Sequence, residues 1–124
     1  MREILFKGKR VDNGEWTEGY FFKSWDKVFI LWGMTGDSPN MEEVIPETVG
    51  QYTGLNDKNG NKIFEGDILL KGFEKVLVKW NANQCRWGIY SNNYEVCGFN
   101  ESTQGYFEVI GNIHDNSELL EVEE

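Results

Sequence analysis

The sequence predicts an all-β, mainly antiparallel protein with little helix, and three observations carry that expectation. Strand-like alternation returns at short intervals, in Arg2–Lys7, Glu15–Lys23, Glu74–Trp80 and Tyr106–Ile113. Fourteen glycines against two prolines supply tight turns between these runs. No stretch holds a helical period long enough for the crossover that parallel strands require.

At 124 residues the chain is expected to form a single domain. Within it we expect an N-terminal β subregion over about residues 1–50, a barrel-like β subregion over about 51–113 and an acidic tail at 114–124. A hydrophobic content of 40% with 15% aromatics supports a folded core without metal or disulfide staples. Met1–Lys7 is charged and unlike a secretory leader, and no apolar run approaches the roughly 20 residues needed to span a bilayer. The expected compartment is therefore the cytoplasm. Cys85 and Cys97 have no second pair, so reduced thiols are expected, not a disulfide framework or a zinc ribbon.

In chain order, Arg2–Lys7 alternates as a short strand with Ile4 and Phe6 on one side. Val11-Asp12-Asn13-Gly14 turns the chain, and Glu15–Lys23 returns with Trp16, Tyr20 and Phe22 on one face beside Glu18. Lys27–Trp32 is apolar on both faces, which predicts an interior strand. Gly33–Met41 has no period and reads as the longest loop of the first half. Pro46 cannot donate to a ladder, so it belongs at an edge, a strand end or a bend.

Gln51–Leu70 is the organising stretch. Asp57-Lys58-Asn59-Gly60 is a hairpin turn: the Asp side chain can bond its own backbone two residues on, and Asn-Gly tolerates positive φ. A calcium loop is the rival, but Lys62 stands where glycine is needed and Ile68 where a bidentate Glu belongs. Glu65-Gly66-Asp67 turns again, and Asp67–Lys71 pairs with Glu74–Trp80 around Gly72. Val76, Val78 and Trp80 share one face, and Lys75, Leu77 and Lys79 the other. Arg86–Tyr90 continues the sheet. Asn92–Phe99 is weakly patterned and reads as a helical turn or loop. Tyr106–Ile113 closes the sheet with Gly111 as a bulge or close-approach position, and Asp115-Asn116-Ser117 caps a short turn through Leu119 and Leu120. Glu121–Glu124 is expected to fray. The two strands around Gly72 give the second half an SH3-like character.

Three stretches resemble one known family: MREILFKGKRVDNGEWTEGY at the start, VIPETVGQYTGLNDKNGNKIFEGDI in the middle and FEVIGNIHDNSELL at the end. They are similar to the YopX-like proteins of phages and prophages in Gram-positive bacteria. Together they cover about half of the chain in the family's order, and Ser117 stands where members often carry Pro. The resemblance implies a mostly β protein in the cytoplasm of an infected or lysogenic host. It implies no catalytic or binding residues.

The residues themselves point away from catalysis. The single histidine, His114, has no nucleophile pattern around it, and phosphate loops and zinc-protease motifs are absent. Cys85, Cys97 and His114 match no metal module, so neither metal nor cofactor is expected. Glu65 and Asp67 flank a glycine, where backbone bonding by Asp67 is the expected role.

Charge is uneven within a net −9: Lys58–Gly88 holds six bases against three acids, and Ile89–Glu124 eight acids and no base. A non-catalytic module that binds a host or phage protein is the leading expectation, with no membrane association. Its acidic face would include Glu101, Glu108 and Glu118. The alternative is single-stranded nucleic acid or nucleotide bound on an aromatic–basic face of Lys75, Lys79, Trp80, Arg86, Trp87 and Tyr90. Self-association through a sheet edge is a further expectation.

Overall fold

A computed structural model of the chain describes residues 3–91, 93–100 and 103–120. It is all-β: the described residues form eleven antiparallel strands and three single-turn 3-10 helices, with no α-helix. The chain divides into two compact units, Met1–Tyr52 and Thr53–Glu124.

In the first unit, β1 (Phe6–Lys9), β2 (Trp16–Ser24), β3 (Lys27–Thr35), β4 (Ser38–Val44) and the start of β5 (Gly50–Asn56) lie in the order β4-β3-β2-β1-β5. The sheet curls on itself. The Val11 amide donates to the Glu43 carbonyl and the Ile45 amide to the Lys9 carbonyl, so the chain leaving β1 closes onto the end of β4. Val28, Ile30 and Val44 are buried inside this curl, with Phe6 and Val49 packed against them. Two glycines make the closure possible. A Cβ on Gly8 would press on Val44, and one on Gly19 would fall on the Leu31 carbonyl. Pro46 opens a 3-10 turn, Pro46–Thr48, at the end of β4, where its missing N–H costs nothing.

Two expectations need correction here. The first strand begins at Phe6, later than the alternation from residue 2 suggests, and Arg2 lies outside the described residues. Gly33–Met41 is not a loop but the end of β3 and most of β4, joined by the two-residue turn Gly36-Asp37. Gly36 has φ +63°, the left-handed first position of a type II′ hairpin turn. Pro39 is tolerated because β4 is an edge strand. The strand β3 does lie between β2 and β4, but only its Val28–Ile30 face is buried.

The second unit holds the end of β5, then β6 (Lys62–Phe64), β7 (Asp67–Lys71), β8 (Glu74–Asn81), β9 (Arg86–Ser91), β10 (Tyr94–Gly98) and β11 (Glu108–Asn112). β5 pairs with β6, and the other five lie in the order β10-β9-β8-β7-β11. Ile63, Leu69, Val76, Val78, Ile89, Phe99 and Phe107 form the core, with Phe99 and Phe107 edge to face at 5.6 Å. The turn at Asp57 is built as its residues dictate: Oδ1 accepts from the Asn59 and Asn61 amides, and Gly60 takes φ +86°. Its Oδ2 accepts from the Val109 amide at 3.0 Å, which ties the turn to β11. Burial pushes the Asp57 carboxyl up, but the bonds from Val109, Asn61 and Asn59 outweigh it and hold the pKa below its ordinary value. Asp67 takes the backbone role expected of it, accepting from the Phe64 amide.

Asn92–Phe99 also differs from expectation, since Tyr94–Gly98 is the strand β10; Asn92 itself lies outside the described residues. A bulge between Glu95 and Cys97 breaks the alternation, and the exposed positions hold Tyr94 and Val96 while Glu95 is half-buried. Gly111 is both a bulge neighbour and a close approach: the β11–β7 register shifts between Val109 and Gly111, and a Cβ there would strike Asn116. The last 3-10 turn, Ser117–Leu120, packs against β8, and Glu121–Glu124 lies outside the described residues.

Candidate interaction surfaces

The six residues singled out from sequence lie on β8 and β9, which pair with Val78 opposite Ile89 and Trp80 opposite Trp87. Directly opposed residues share a face. The two tryptophans therefore lie on the same face as the core residues Val78 and Ile89, at its end: Trp87 packs against the core, and Trp80 meets it edge-on at 5.1 Å while remaining 46% exposed. Lys75, Lys79, Arg86 and Tyr90 alternate onto the opposite face. The structure thus brings four of the six together and sets the two tryptophans apart.

On that opposite face the Lys79 ammonium stands 4.9 Å above the Tyr90 ring. Gly88 leaves a notch between them and β10, which the Glu95 carboxylate occupies. Asn81 Nδ2 donates to one Glu95 oxygen and Arg86 Nη2 to the other. The bond from Asn81, then that from Arg86, holds the Glu95 carboxyl below its ordinary pKa. Arg86 is thereby paired with a carboxylate within the sheet. Of the acidic candidates, Glu108 faces Lys58 at 3.6 Å, Glu118 sits in the last 3-10 turn, and Glu101 lies outside the described residues.

A larger surface lies on the first unit. Register places Tyr20 opposite Leu31, Phe22 opposite Phe29, Leu31 opposite Met41, and Met34 opposite Pro39. All of these belong to the outer face of the curled sheet, away from Val28 and Ile30. Phe22 and Phe29 stack at 5.2 Å with an interplanar angle of 17°. At the other end of β2, Trp16 lies beneath the Lys7 ammonium at 4.6 Å and the Lys9 ammonium at 5.7 Å. Tyr20, Phe22, Met34 and Met41 are exposed. At the tip of the β2–β3 hairpin, Trp25 takes φ +59° and is 93% exposed, a left-handed conformation that a bulky side chain seldom adopts.

Alternation in the sequence places Trp16, Tyr20 and Phe22 on one face, as found, but reads the second apolar face of β3 as interior, which it is not. The signal for the outer face is the Gly36-Asp37 turn. It adds β4 as an edge strand, so the sheet has an outer face with nothing from this unit to cover it.

Neither cysteine is in a disulfide, and among the described residues no group of three or more His, Cys, Asp or Glu is arranged to hold a metal. No helix among the described residues is long and apolar enough to cross a membrane.

Comparison with known proteins agrees with this architecture. No curated protein sequence matches the chain. The crystal structure of protein EF1440 from Enterococcus faecalis is similar, with a TM-score of 0.60 and 25% identity over 98% of this chain and 100% of that one. The model of the family described as YopX protein matches residues 9–121. That match reaches from the end of β1 through the last 3-10 turn, and the chain belongs to the YopX family.

Proposed function

We propose that this chain is an accessory protein of phages and prophages of Gram-positive bacteria, working in the host cytoplasm as a non-catalytic protein-interaction module. The family resemblance supports the setting. The observation that carries the mode of action is the outer face of the first unit, where Tyr20, Phe22, Leu31, Met34 and Met41 form an apolar surface on paired strands. Aromatic and methionine side chains held on a rigid sheet suit a protein partner, because they offer large contact area at small ordering cost. The face carries Glu18 and Glu43 beside Lys7, Lys9 and Lys27, too mixed in sign to neutralise a run of phosphates.

The test is affinity capture by tagged protein from host lysate that also contains the untagged chain, with nuclease present, comparing wild type with Tyr20→Lys/Met41→Lys. A stoichiometric protein partner lost in the variant is the expected result. Equal capture by both forms would remove this face from the account.

The Lys79–Tyr90 contact favours a second reading, in which Lys75, Lys79 and Tyr90 hold single-stranded nucleic acid or a nucleotide. Fluorescence anisotropy of a labelled oligonucleotide tests it, with salt-sensitive binding weakened by Lys79→Ala as the supporting outcome.

A further inference from the structure

We propose that the partner on the outer face of the first unit is a second copy of this chain, related by a two-fold axis. The inference rests on reading that face as the interaction site, and three observations select the occupant.

The first is area. Tyr20 is 64% exposed, Met34 60%, Met41 43% and Phe22 38%. With the half-buried Phe29 and Leu31 they present an apolar patch on the order of a few hundred Å², the size that marks an interaction site on a soluble protein. A stable dimer buries about 800 Å² on each partner around an apolar centre, and this patch supplies such a centre.

The second is charge. A chain of net charge −9 repels its own copies over most approaches. On this face Lys7 stands opposite Glu18, and Lys9, Lys27 and Glu43 complete the charged set. Its charges nearly cancel, and both signs border the apolar centre. An isologous interface needs that composition, since each residue type meets the same surface on the other copy. A strongly acidic or basic partner would be mismatched at one sign or the other.

The third concerns the rival route on this unit, pairing at the β4 edge. The exposed stretch of β4 carries Pro39, and the end of the strand is bonded to the chain leaving β1, where Glu42 pairs with Arg10. Proline on an edge opposes strand addition. The face is open where the edge is guarded.

Sedimentation velocity on the purified full chain from about 1 to about 100 µM is the experiment, run on wild type and Tyr20→Glu/Met41→Glu. The expected result is a dimer in wild type, with dissociation at least about tenfold easier in the variant. Phe73→Ser, an exposed turn position of the second unit, should leave the dimer intact. Oxidation footprinting of unmodified protein gives a readout independent of any variant's folding. Met34 and Met41 should become protected as the dimer fills. A wild-type monomer at every concentration overturns the second-copy assignment and leaves the heterologous interaction reading standing. A dimer that persists in the variant, or whose Met34 and Met41 stay reactive, also overturns it.

Discussion

Among the described residues, the core cluster of the second unit holds seven buried residues, whereas that of the first holds three, Val28, Ile30 and Val44, with Phe6 and Val49 at their side. Exposure runs the other way. Among the described residues, ten large apolar side chains of the first unit are exposed and six of the longer second unit. Both units have alternating strands and glycine turns, so local structure does not distinguish them. They differ in the fate of the second apolar face. In the second unit Ile68 and Leu77 lie opposite each other on the face away from the core; Ile68 is fully buried, and the last 3-10 turn packs against β8. In the first unit the equivalent side of β2, β3 and β4 is open. Hydrophobic content alone therefore says little about function; an apolar face that its own fold leaves uncovered says more.

The contrast can be broken most sharply at the larger core. Phe107→Ala removes a buried ring from against Phe99 and should cost about 3–5 kcal/mol, read as a lower denaturant midpoint.

Asp57→Ala comes next. It takes the acceptor from three backbone amides, and we expect about 2–3 kcal/mol of destabilisation by the same measurement. This site also gives the second unit an acid sensitivity. The folded-state pKa of Asp57 lies below its unfolded value, so the unfolded chain binds the proton more readily. Its contribution is full above the ordinary carboxylate range and is lost as pH falls through the lowered folded pKa. Asp57→Asn should flatten the acid limb of the stability profile; an unchanged limb would assign the sensitivity to other carboxylates.

Gly19→Ala acts on the first unit. Its Cβ would meet the Leu31 carbonyl, a backbone atom with little room to move, and about 1–3 kcal/mol of strain should follow. Hydrogen exchange resolved by residue should show faster exchange in β2 and β3 before the strands of the second unit respond.

The smallest effect has the opposite sign. Trp25→Gly relieves a left-handed bulky residue and should stabilise the hairpin by about 0.5–1 kcal/mol. If partner capture weakens at the same time, the strain at Trp25 is the cost of holding a contact residue outward. If capture is unchanged, Trp25 is outside the interface.

The all-β class was legible because alternation and turn chemistry agree over most of the chain. The Asp57 turn and Gly111 were legible for the same reason: each residue's local preference coincides with what the tertiary structure asks of it. Two strands were not. Pro39 hid β4, since proline argues against a strand until the strand is known to be an edge. β10 was hidden by a bulge and by a carboxylate on its half-buried side, held there by Asn81 and Arg86 from neighbouring strands. Period separates Trp80 from Lys75 and Lys79 along β8, but the six candidates on β8 and β9 were read as one face, and the register sets the two tryptophans on the other. KVFILW misled in the same way, because two-sided apolarity describes an interior strand and a binding face equally well.

The bond from the Val109 amide to Asp57 spans 52 residues of sequence. The turn that opens the second unit therefore lacks one of its ligands until Val109 has been made, whereas the pairings of the first unit are complete by Gln51 and Tyr52. On a ribosome the first unit can finish while the second is still waiting for β11. The uncovered face is thus among the earliest finished surfaces of the molecule, presented to neighbouring nascent chains before the rest of the protein has taken shape.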